Sequence, residues 1–237
     1  MNLLAADFPS LALALSWLVA LAALALAFRF DPPKAPLAAA QAASGLLAVA
    51  LLWSFHVTMS QGPLQGMTFH LLGATLLTLM LGAPRAMAAF LAASVLYALA
   101  FQSPADAATA AMGLLFLGLP AIAIARLSLA LAQKYLPAQV FVFIFVNCFF
   151  TAALSTLAAG ATLMGMLDLF SAHESEALWS RGFPVFFLLM WGDGFITGLF
   201  SAIMVAFLPR LISQFSDEFY LRDSIFEDKQ NPGGSAK

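Results

Sequence analysis

Charge is what this chain most conspicuously lacks. Only 9% of its 237 residues are Asp, Glu, Lys or Arg, against roughly 25% in an ordinary soluble domain. The net charge is −2 and no basic stripe is present, which leaves no footprint for a nucleic-acid partner. Cysteine is nearly absent too: Cys148 stands alone, excluding an internal disulfide or a multi-cysteine metal site. No GxxxxGK[ST] phosphate loop occurs, so the chain carries no signature of using ATP itself. No Lys or Arg precedes Arg29. A signal peptide opens with positive charge, so residues 1–30 are expected to be a retained first span behind a short leader, 1-MNLLAADFPS-10.

What is abundant is apolar surface. Hydrophobic residues make up 62% of the chain and the mean hydropathy is +0.94. A core of this size cannot hide that much apolar surface, so lipid is the expected solvent. Breaks in the apolar pattern predict seven transmembrane helices in an all-α integral membrane protein, at about 9–29, 37–57, 68–82, 84–101, 107–132, 138–166 and 184–209. Residues 1–212 read as one transmembrane domain and 213–237 as a charged cytoplasmic tail, partly disordered. With seven spans, Arg29, Lys34, Arg85, Arg126, Lys134, Arg210, Arg222, Lys229 and Lys237 fall on one side and Arg181 on the other. The positive-inside rule then predicts an external N-terminus and a cytoplasmic C-terminus in the cell inner (plasma) membrane.

This topology gathers His56, His70, His173 and the chain start on the external side, with Asp7, Asp106, Asp168, Glu174 and Glu176 near them. The third span is short. Its 15 residues, Thr68 to Gly82, make roughly 22 Å of helix, less than the hydrocarbon thickness. The Gly/Pro turn 61-QGPLQGMT-68 would then dip into the bilayer under cover of protein. Thr68 would cap the helix and His70 would sit in its first turn. There the macrodipole disfavours protonation, and a neutral imidazole is the form that binds metal. Nitrogen donors suit Co²⁺, Ni²⁺, Cu²⁺ and Zn²⁺. The terminal amine of Met1, nearby backbone amides, His56, Met59 and Met67 are the possible co-ligands. By position alone, a histidine at such a helix end is more often a packed or hydrated interfacial residue than a ligand.

Other features divide in the same way. Asp193, inside span seven, reads as a relay, a partner of the site or a hydrogen-bonded packing residue. Gly194 and Gly198 form a GxxxG packing motif. Asn147, Thr151 and Ser155 mark one helix face, as the lining of a passage or as bonds to neighbouring helices. His173 and Glu176 share a face of a short interfacial segment.

The run 70-HLLGATLLTLMLGAPRAMAAFL-91 resembles the signature of the CbiM/NikM-type substrate-binding permeases (S components) of energy-coupling-factor ABC transporters: a His-Leu-x-Gly-Ala segment followed by Leu-Gly-x-x-Ala-Ala. The stretch 192-GDGFITGLFSAIMVAFLPRLI-212 is similar to their last helix. The resemblance spans roughly residues 1–212. It implies a non-catalytic membrane subunit that takes Co²⁺ or Ni²⁺ from outside, with separate ATPase subunits and a transmembrane coupling subunit as partners. It also implies that His70 matches the ligating histidine. Family members begin Met-His, so that the amine, the second backbone amide and that imidazole wrap the ion in a square plane. Here Asn2 stands at that place. The resemblance therefore carries over Met1 and Asn2 through their backbone groups, and His56 becomes the candidate for the missing nitrogen. Zn²⁺ and Cu²⁺ stay open as the cargo, and no tightly bound cofactor is expected. Two other readings remain: a sensory or assembly module of the same fold, and a redox protein, for which paired mid-membrane histidines are missing.

Overall fold

The computed structural model describes residues 3–33, 36, 38–60, 65, 67–170 and 174–220. Helices α1 (Ser10–Phe30), α4 (Ala83–Phe101), α5 (Pro104–Tyr135), α6 (Val140–Phe170) and α7 (Ser175–Phe207) are each long and apolar enough to cross a membrane. Helix α2 (Ala39–Ser54) is shorter, at 16 residues. Among the described residues the only sheet is a hairpin: β1 (His56–Thr58) runs antiparallel to β2 (Thr68–His70), with His56 opposite His70 and Thr58 opposite Thr68.

This hairpin corrects the expected third span. Residues 68–82 do not form one helix: 68–70 are strand, 71–73 turn, and only Ala74–Leu81 is helix, α3. Thr68 therefore caps nothing. Its hydroxyl instead lies 3.0 Å from that of Thr58 across the hairpin. The cause of the late start is Gly73, at φ +67, a left-handed conformation that an L side chain avoids and that no helix interior contains. A Cβ there would also stand 2.9 Å from Leu52 Cδ1. The fold is thus helical apart from one hairpin rather than wholly α.

α3 occupies the centre. All eight of its residues are buried, against α2, α4, α5 and α6. A helix of eight residues is about 12 Å long, and both its ends lie inside the protein, where orphan backbone groups need partners. At its end, Leu79 and Met80 offer carbonyls to the N–H groups of Gln214 and Ser213, and Gln41 Nε2 donates to Met80 O at 2.7 Å. Residues that follow α7 thus fold back onto the bundle. Phe215 and Tyr220 stack there (5.2 Å between centroids, 5° between planes) and both rest against Phe143.

The longer helices carry their own irregularities. Pro120 in α5 has no N–H for the carbonyl of Phe116, and the backbone around Leu114–Gly118 widens to a π turn. Thr162 of α6 donates its hydroxyl to that carbonyl, the usual repair for a proline in a membrane helix. The Asn147-Thr151-Ser155 face turns toward α5: Thr151 Oγ1 is 2.6 Å from Ser128 Oγ, and Ser155 Oγ donates to Ala121 O. At Gly194 a Cβ would approach Phe149 O to 3.0 Å, so the GxxxG motif lets α7 lie close on α6.

Candidate metal centre

His70 is the last residue of β2, outside the membrane-length helices, and is 5% exposed. Its ring packs against both Trp53 (4.7 Å between centroids) and Tyr97 (5.7 Å), which also touch each other. Nδ1 is 2.8 Å from the carbonyl of Leu71. A carbonyl only accepts, so Nδ1 carries the hydrogen and the lone pair of the neutral ring is on Nε2. Burial holds the imidazole well below its ordinary value of 6.5, and the hydrogen bond to the Leu71 carbonyl works against it. The expected neutrality therefore comes chiefly from burial on a hairpin, and not from a position in the first turn of a helix.

Each residue after His70 is tied in turn. Leu71 O accepts from His70, Leu72 O accepts from Trp53 Nε1 at 3.1 Å, and the Gly73 N–H donates to Asp193 Oδ1 at 3.0 Å. Asp193 is 1% exposed, and its other oxygen accepts from the Thr156 hydroxyl. Asp193 is thus a hydrogen-bonded carboxylate of α7 at the start of α3.

Beside His70 is a cavity of about 20 Å³, lined among others by Leu3, Trp53, His70, Phe90, Asp106 and Thr109. About one water or one bare ion fits such a space. The N-terminal segment lies over it. Asp106 Oδ1 accepts from the Ala5 N–H at 2.8 Å, and Thr109 Oγ1 is 3.1 Å from Leu3 O. Asp106 Oδ2 also accepts from the Ser103 N–H, closing a capping box over 103-SPAD-106. That motif reads as an interhelix turn in the sequence. Its S-x-x-D spacing was the available signal that Asp106 starts a helix.

Met1 and Asn2 lie outside the described residues, as does His173; Leu3, next in the chain, lines the cavity. His56 faces His70 in the strand register, but its ring is exposed beside Tyr97 and Phe101, with Nδ1 3.3 Å from Trp53 O. It does not line the cavity. Met59 and Met67 are joined to each other through the backbone of the hairpin, Met59 N–H to Met67 O, and neither lines the cavity. Among the described residues no three His, Cys, Asp or Glu side chains are grouped to hold a metal.

Apolar helices of membrane length define a multi-pass membrane protein. The family model described as the cobalt uptake substrate-specific transmembrane region, CbiM, matches residues 6–211. The chain belongs to the CbiM family, and is a membrane transport component of cobalt uptake. Comparison with curated proteins and with solved structures finds no match.

Proposed function

We propose that this chain is the substrate-capture subunit of an energy-coupling-factor transporter for a divalent transition metal ion of the Co²⁺ or Ni²⁺ class. It would bind the ion from the external face of the plasma membrane, with its N-terminus outside and its C-terminus in the cytoplasm. The observation that carries this reading is the single-ion cavity between His70 and Leu3. A ligating histidine commonly donates its other ring N–H to a backbone carbonyl, as His70 does to Leu71. Backbone nitrogens of Met1 and Asn2, which precede the cavity-lining Leu3 in sequence, would complete the set. His56 is the reserve ligand, reached by turning its exposed ring. Separate ATPase subunits and a transmembrane coupling subunit supply the energy and reorient the site; this chain contributes binding, not catalysis.

The test is calorimetry with Co²⁺, Ni²⁺, Zn²⁺ and Cu²⁺ on purified protein with an untagged N-terminus. Wild type is expected to bind one ion, His70→Ala to lose at least about tenfold in affinity, and His56→Ala to stay near wild type. Equal binding by wild type and His70→Ala overturns the reading.

A further inference from the structure

Resting on the capture reading above, we infer that Asp193, from the middle of α7, is the positioning residue that sets the tautomer and aim of His70. The two residues do not touch. Between them lies the turn 71–73, whose backbone groups are tied in succession. Asp193 Oδ1 accepts from the N–H of Gly73, Trp53 Nε1 donates to the carbonyl of Leu72, and the carbonyl of Leu71 accepts from Nδ1–H of His70.

Gly73 is the pivot of this turn. At φ +67 it has the conformational freedom to let residues 71–72 swing, so something other than local sterics must hold it. Asp193 does so from one side and Leu52 limits it from the other. The carboxylate is itself held in place, since Thr156 of α6 donates to its second oxygen. A carboxylate buried this deeply is costly unless hydrogen-bonded, and it also gains from the positive end of the α3 dipole beside it. The anchor therefore joins α6, α7 and the start of α3 to the carbonyl that fixes the proton on Nδ1. With that proton fixed, Nε2 is the nitrogen whose lone pair meets the substrate ion. Without the anchor the Leu71 carbonyl can turn, Nδ1 and Nε2 compete for the proton, and the lone pair is no longer committed to one nitrogen.

The test uses the full-length chain in detergent, with ¹⁵N-labelled histidine, and the His70 signals identified by their loss in His70→Ala. Wild type, Asp193→Asn, Asp193→Leu and Thr156→Val are compared for the ¹⁵N tautomer pattern without metal, for Co²⁺ affinity and visible absorption spectrum, and for thermal unfolding. Wild type is expected to show one Nδ1–H tautomer. Asp193→Asn, whose amide oxygen still accepts from Gly73, keeps that pattern and an affinity close to wild type. Asp193→Leu gives a mixed tautomer and about 10–100-fold weaker Co²⁺ binding, the usual loss when an outer partner of a ligand is removed. Thr156→Val shifts both readouts in the same direction by less, and decides the matter alone where Asp193→Leu does not fold. A carboxylate that only supports the fold would lower the unfolding temperature and leave tautomer, affinity and spectrum as they are, which overturns the inference. If wild type binds no Co²⁺ the capture reading fails, and the tautomer comparison in the metal-free protein still decides the role of Asp193.

Discussion

At the scale of single residues, the burial of His70 makes the protein sensitive to acid in a defined direction. The unfolded chain takes up a proton at His70 near 6.5, whereas in the folded chain burial holds the ring well below that value. Between the two, the unfolded state binds more protons, so folding stability falls as pH is lowered through 6.5 and is unaffected by this group above it. We expect metal-free wild type to lose more thermal stability between pH 7.5 and pH 5 than His70→Leu does. Unfolding curves of the two at both pH values check this; equal losses would mean that the ring is solvated. The residue identity of His70 was plain in the sequence, as part of a His-Leu-x-Gly-Ala run. Its surroundings were not. Trp53, which packs on it, precedes it by 17 positions, and Asp193, tied to the turn after it, follows by more than a hundred; neither spacing is a sequence signal.

Among elements, the long apolar helices were legible because the bilayer demands long uninterrupted runs, and such runs are rare for any other reason. The third one misled because composition alone does not distinguish a strand, a turn and a half-helix inside one apolar run. 68-TFH-70 suits a pleated pair as well as a helix, and only Gly73 marked the break. Proline inside α5 was no obstacle: the expected span of about 107–132 is one helix from Pro104 to Tyr135, with Pro120 within it. A hydroxyl of the neighbouring helix repairs the lost bond. Thr162→Val should therefore leave the Phe116 carbonyl without its partner and cost about 1–3 kcal/mol. Restoring an N–H with Pro120→Ala in the same chain should recover much of that. Thermal unfolding of the single and double variants measures both steps, and full additivity would show that the two groups are not coupled.

For the whole molecule, the charge asymmetry predicts which end of the bundle meets which compartment. In a Cys148→Ser background, a cysteine at Val57 on the hairpin should react with a membrane-impermeant maleimide on intact cells. One at Gln139, in the exposed connection between α5 and α6, should react only after permeabilisation. The reverse pattern would invert the proposed direction of transport. The division of the chain at residue 212 was drawn from composition, because apolar density ends there. Composition does not record that Ser213 and Gln214 use backbone, not side chains, to meet α3.

That backbone junction bears on how the protein is made. The half-helix is synthesised early, yet the carbonyls of Leu79 and Met80 gain their backbone partners only from residues made after the final membrane helix. Gln41, made earlier, can hold the carbonyl of Met80 meanwhile, but that of Leu79 waits for the N–H of Gln214, and lipid cannot satisfy it. Completion of the middle of this molecule therefore waits on the synthesis of residues that follow α7.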